Sequence, residues 1–166
     1  MKFTAADMHR LNAAEGWLEL GNHWEADKEL DNITAKLRAH PAVLQMRWRV
    51  YALAKKWDLC VEIASALTRM MPDEEQAVVN LGNSLYFSGR TQEAFDCVSA
   101  VMPRFPKTSI LRYNLACYAC QLGMLDVAQI WLEEAFALDK KKELKLMALD
   151  DPDLKPLWKN IGGLKA

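Results

Sequence analysis

Cys117 and Cys120 form the only C-x-x-C pair in the chain, and that spacing puts both thiols on one face of a helix. Such a pair could do redox chemistry or supply half of a zinc site. A structural zinc needs about four N/S ligands, and the other cysteines, Cys60 and Cys97, form no second pair. Redox pairs sit at helix starts, where the dipole lowers the thiol pKa; these two fall in mid-helix, so packing is the expected role. His9, His23 and His40 show no metal-ligand spacing and read as surface or cap histidines. Asp150, Asp151 and Asp153 could hold a cation, but helix capping explains them more simply. The terminal Gly162-Gly163-Leu164-Lys165 lacks the spacing and hydroxyl of a phosphate loop and reads as a frayed end. Lys140, Lys141, Lys142 and Lys145 form a short basic run suited to a helix C-terminus. No cofactor and no catalytic constellation is implied.

Composition limits the classes further. The chain has 166 residues, 51% of them hydrophobic, with 7 Gly and 6 Pro, which favours a folded, mainly helical protein over a disordered one. A formal net charge of −1 provides no bulk field for nucleic acid or an anionic membrane. The N-terminus lacks the apolar core of a signal peptide, and no apolar run reaches the roughly 18–20 residues of a membrane span. Buried reduced thiols fit a cytoplasmic protein.

The elements that position these residues recur at a fixed interval. With Asp7 as position 1, Pro41, Glu75 and Ser109 begin successive units 34 residues apart. Position 15 holds Gly21, Lys55, Gly89 and Gly123, a helix end that favours the left-handed conformation. Position 20 holds the small residues Ala26, Cys60, Ala94 and Ala128, where two helices must approach closely. Position 8 holds Ala14, Trp48, Gly82 and Ala116, and position 27 holds Ile33, Leu67, Val101 and Ala135, an expected buried stripe. Residues 78–106 are the template: Leu81-Gly82, Gly89, Ala94 and a closing Pro106. Asp73 with Gln76 forms a capping-box pattern, Thr108 is a candidate cap, and Pro41 suits a first turn. Helices of about 12–15 residues are too short to stand alone, so the units must stack.

This pattern resembles the tetratricopeptide repeat, over about residues 7–142. Repeat two departs from it, with Arg47, Trp48 and Lys55 in place of Leu, a small residue and Gly. The resemblance implies an all-α, right-handed solenoid of stacked antiparallel helix pairs in one domain, 1–166, with repeats at about 7–40, 41–74, 75–108 and 109–142. The segment 143–166 is expected to cap it. Leu144, Leu146, Met147 and Leu149 continue a helical face, and Asp151-Pro152 starts a helix bearing Leu154, Leu157, Trp158 and Ile161 on one side. The DPDL run and the NLACYACQLG stretch are similar to sequences in a bacterial tetratricopeptide subfamily without an assigned role.

In that family the first helices line a concave groove, so the resemblance implies a protein-binding scaffold that performs no catalysis. Position 6 holds Asn12, Met46, Asn80 and Asn114, similar to the asparagine ladder that grips a ligand backbone. Gln45, Arg49, Gln76, Asn83, Tyr86, Phe87, Ile110, Tyr113, Cys117 and Gln121 complete the expected groove. Repeats three and four, with Asn80, Asn83, Tyr86, Phe87 and Tyr113, are expected to hold a peptide most firmly, and Met46 to weaken repeat two. The lysine-rich clamp for C-terminal carboxylates is not reproduced. Three further readings stay open: a secretion-type or general chaperone holding unfolded clients, self-association through exposed repeat faces marked by Trp48, and a redox or metal protein using Cys117 and Cys120.

Overall fold

A computed structural model describes residues 2–140 and 142–162; Lys141 of the basic run and Gly163-Leu164-Lys165 lie outside them. Among the described residues ten α-helices run in order: α1 (Ala5–Glu19), α2 (His23–Asp31), α3 (Pro41–Leu53), α4 (Trp57–Met70), α5 (Glu75–Phe87), α6 (Thr91–Val101), α7 (Ser109–Gln121), α8 (Leu125–Leu138), α9 (Glu143–Asp150) and α10 (Trp158–Ile161). Short 3-10 helices occupy Ala35–Leu37, Met102–Arg104 and Pro152–Leu157. Among the described residues there is no strand. Among them no helix is long and apolar enough to cross a membrane. The chain divides into two compact units, Met1–Ser84 and Leu85–Ala166.

The helix starts at Pro41, Glu75 and Ser109 coincide with the 34-residue frame. In the first unit α1 packs against α2 and α3 against α4. Its core joins Leu11 and Ala14 of α1, Ala26 and Leu30 of α2, Ile33, Leu37, and Val43 and Val50 of α3. In the second unit α7 packs against α8, burying Leu111, Leu115, Ala116 and Ala119 with Ala128, Leu132 and Ala135. The small residues at position 20 are all fully buried, as close helix crossings require. At position 27, Val101 is half-buried rather than part of the core.

Each helical hairpin turns through the same backbone motif. Gly21 donates its N–H to Leu18 O, and Asn22 to Trp17 O. Lys55 and Lys56 repeat this to Ala52 O and Tyr51 O, Gly89 and Arg90 to Tyr86 O and Leu85 O, and Gly123 and Met124 to Cys120 O and Ala119 O. This Schellman pattern needs a left-handed residue, so Lys55 adopts φ 55°, beside 72°, 80° and 77° at Gly21, Gly89 and Gly123.

The departures of repeat two acquire partners. The Arg47 guanidinium donates to Asp27 at 3.0 Å and Asp31 at 2.9 Å, tying α3 to α2. The Trp48 indole N–H donates to Ser84 Oγ at 2.9 Å. Repeat one is the less regular: α2 ends at Asp31, short of the expected length. There Arg38 takes up the carbonyls of Asp31 and Ile33, and Thr34 N–H donates to Asp7 Oδ1 at 2.9 Å. Asp7 also closes a capping box with Thr4 at the start of α1.

Capping differs in detail from expectation. Pro41 does open α3, with His40 Nδ1 accepting from Ala42 N. Helix α5 begins at Glu75, two residues beyond Asp73. Thr108 occupies the N-cap position of α7 without a side-chain cap bond; its carbonyl accepts from Arg112 instead. In the tail, Leu146, Met147 and Leu149 are exposed and Ala148 is the buried contact of α9. Asp139 accepts from Leu144 N at 2.6 Å at the start of that helix. Asp151 caps the following turn by accepting from Asp153 N at 2.9 Å. Leu154, Leu157 and Ile161 are buried as expected.

Candidate functional site

The first unit holds a cavity of about 360 Å³ lined by Ala42, Gln45, Met46, Trp48 and Arg49 of α3, Glu74, and Gln76 and Asn80 of α5. Helical spacing explains the set: residues three or four apart share a face, so Ala42, Gln45, Met46 and Arg49 point the same way. Four of the expected groove residues, Gln45, Arg49, Gln76 and Asn80, therefore converge here. Their polar groups are partly committed. Gln76 Nε2 donates to Asn80 Oδ1 at 2.8 Å, and Asn80 is 4% exposed. The Asn80 carbonyl accepts from Ser84 Oγ at 2.6 Å, and Ser84 in turn accepts from Trp48. Arg49 reaches Glu15 of α1 at 3.0 Å, an exposed pair that is easily opened. The cavity thus offers a half-buried apolar floor of Ala42, Met46 and Trp48 beneath exposed polar groups. Met46, expected to weaken this repeat, and Trp48, expected to mark a self-association face, are both parts of its wall. A tryptophan at a slot reserved for small residues was the sequence signal for them; Glu74 carried none.

In the second unit the tail turns back over α7, and the 3-10 helix Pro152–Leu157 packs on it. Tyr113 and Cys117 are 3% and 6% exposed. The Tyr113 hydroxyl donates to Asp151 Oδ2 at 2.7 Å, and the Cys117 thiol to the same oxygen at 3.7 Å. Gln121 Nε2 donates to the Asp153 carbonyl at 2.9 Å. Three residues expected to face a ligand thus face the chain's own tail. The tail covers the side of α7 on which an open fourth groove was expected. Trp158 braces the turn, its indole N–H donating to Ala148 O and Asp151 O.

Beside this contact lies a second cavity, about 710 Å³, lined by Tyr86, Phe87, Gly89, Thr91, Gln121, Asp151, Pro152 and Asp153. Burial, then the neighbouring Asp153, pushes the Tyr86 phenol well above its usual range. Burial and then the Asp151 contact do the same to Tyr113. Asn12 is exposed on α1, Asn83 and Asn114 are half-buried, and Ile110 is half-buried at the start of α7; these four line neither cavity.

The C-x-x-C thiols have surroundings opposite to those of an activated pair. Burial pushes the Cys117 thiol far up, and the carboxylates of Asp151 and Asp153 push it further. Cys120 is raised by burial and the same two carboxylates. A thiol held protonated is a poor nucleophile and a poor metal ligand. All four cysteines are free, and among the described residues no three His, Cys, Asp or Glu side chains gather as a metal site would need.

No protein-family model matches the chain, and no curated protein matches it. Solved structures do. The MamA MSR-1 C2 structure aligns with TM-score 0.69 and 20% identity over 80% of this chain and 76% of that one. The MamA RS-1 ArsTM double mutant aligns with TM-score 0.71 and 14% identity over 82% and 77%. MamA AMB-1 C2221 gives 0.66 and 21% over 78% and 76%. At these identities the likeness is one of fold, and MamA is a tetratricopeptide-like helical protein. The chain accordingly has the all-α fold of the tetratricopeptide solenoids.

Proposed function

We propose that this protein is a non-catalytic interaction module that holds a segment of a protein partner on the α3–α5 face of its first unit. One observation carries the reading: Gln45, Arg49, Gln76 and Asn80, chosen from their repeat positions, line a single cavity with an apolar floor. An apolar floor with a few convergent polar groups is the usual character of a recognition pocket, and its size suits one partner side chain. Gln45, Gln76 and the readily released Arg49 supply donors for an extended backbone. Asn80 braces Gln76 rather than contacting the ligand alone. The four-repeat description, with 143–166 as a capping segment, belongs to this reading and is supported by the helix starts 34 residues apart. So do a bacterial source and a cytoplasmic location.

The test is affinity capture from the native cell with the wild-type chain and with Gln45→Ala/Gln76→Ala and Arg49→Ala variants. Loss of one reproducible partner from the variants, with helicity and melting retained, is the expected result. Equal capture by all three chains would remove the α3–α5 cavity from the reading.

A further inference from the structure

The second cavity has a chemistry of its own, distinct from the α3–α5 face. Phe87 is 55% exposed at its rim, and Tyr86 stands edge-on to it with ring centroids 5.3 Å apart. Across from these rings, Asp151 and Asp153 bring two carboxylates two residues apart. Among the described residues the donors that hold Asp151 are neutral, the Tyr113 hydroxyl, the Cys117 thiol and the Asp153 N–H, and Asp153 lies beside the Tyr86 phenol. Among the described residues no cation lines the cavity. Arg90, between two lining residues, is engaged by both its Nε and Nη2 with Glu93, at 2.8 and 2.7 Å. Lys155, the nearest basic residue along the tail, is exposed and lines no part of it. Gln121 and Thr91 add polar groups to the wall.

We propose that this cavity receives the cationic side chain of a partner, an arginine, with its guanidinium stacked on Phe87 and bonded to the Asp153 carboxylate. Aromatic faces attract cations through the ring quadrupole. A planar guanidinium can stack and donate to a carboxylate at once, which an ammonium cannot. The tail's acidic edge is in place to receive it: the Asp151 carboxylate is held by Tyr113 and Cys117, and the Asp153 backbone by Gln121 and Asp151. The tail therefore has two roles: it covers α7, and its acidic edge completes a site with the end of α5.

The proposal is tested on the full chain by two-dimensional NMR titration with N-acetyl-arginine amide, using N-acetyl-citrulline amide as the uncharged isostere. Saturable shifts at Phe87, Gly89, Gln121 and Asp153 are expected, roughly tenfold weaker in affinity for citrulline. Asp153→Asn removes the charge at nearly constant size and should weaken arginine binding roughly tenfold. Phe87→Ala, at an exposed position, should weaken it several-fold. The absence of saturable shifts at these residues, equal binding of citrulline, or an unchanged affinity in Asp153→Asn would each overturn the proposal. Signals of the first unit act as an internal reference, so failure of the α3–α5 reading and failure of this one are separately visible.

Discussion

Replacing Lys55 with glycine should make the protein more stable, although it deletes a side chain. The four hairpin turns carry the same pair of backbone hydrogen bonds, and all four have a left-handed residue at the same position. A Cβ added at Gly21, Gly89 or Gly123 meets nothing within 4 Å, so space is not what selects glycine there. The dihedral angle is. An L-residue in that conformation carries roughly 1–2 kcal/mol of strain, which Lys55 bears at φ 55°. Glycine removes the strain but adds about 0.5–1 kcal/mol of backbone entropy to the unfolded chain. The Lys55 side chain is exposed and off the core.

The net gain is therefore about 0.5–1 kcal/mol, a rise in Tm of about 2–3 °C for a chain of this length. Thermal and urea unfolding followed by circular dichroism would measure it, with Gly21→Ala as the reverse substitution, expected to lose about 1 kcal/mol. If Lys55→Gly is neutral or destabilising while Gly21→Ala is harmless, dihedral strain does not govern these turns.

Other substitutions probe the remaining features. Asp7 accepts from Thr4 N, Thr4 Oγ1 and Thr34 N, and the Thr34 backbone bond, first among these, holds its carboxyl well below the usual range. A depressed folded pKa means its contribution is complete above the unfolded value near ~4 and is lost as pH falls below it. Acid unfolding of Asp7→Asn should accordingly start from lower stability at neutral pH and converge on wild type in strong acid. Arg47→Met should cost about 1 kcal/mol in low salt and less in high salt, since the Asp31 partner is largely exposed. Burial pushes the Cys60 thiol to about 11 and the Cys117 thiol up as well. At pH 8 a thiol reagent should therefore react with these two slowly in the native chain and promptly in denaturant; prompt native reaction would contradict their packing.

Much of the fold was legible because it rests on local rules that repeat. Position 15 is set by backbone conformation and position 20 by helix approach, and both survive changes elsewhere in each unit. Even Lys55, which breaks the composition, keeps the conformation. What the pattern did not contain was pairing across long separations. Arg47 looked like a misfit because its partners, Asp27 and Asp31, lie on α2. Trp48 looked oversized because its indole partner, Ser84, is 36 residues away. Helical periodicity alone did not say which face of α9 is covered: Ala148 is buried while Leu146, Met147 and Leu149 are exposed.

The candidate site shows the same divide more sharply. Repeat positions placed Gln45, Arg49, Gln76 and Asn80 in one set, and helix periodicity brings them to one cavity. The same periodicity put Tyr113, Cys117 and Gln121 on one side of α7, and they do share it. It could not say what lies against that side. The answer depends on the tail's contacts with Tyr113, Cys117 and Gln121, 38, 34 and 32 residues apart, and no local rule encodes them. Capping, the reason first given for Asp151, accounts for one of its oxygens, which takes the Asp153 N–H. The other is held by groups that were expected to hold a ligand. A residue that caps its own turn and fills a neighbour's hydrogen bonds fixes the tail from both ends. The arginine contact proposed for the second unit therefore lies not on the face of α7 but at the tail's edge, where Phe87 is exposed and Asp153 half-buried.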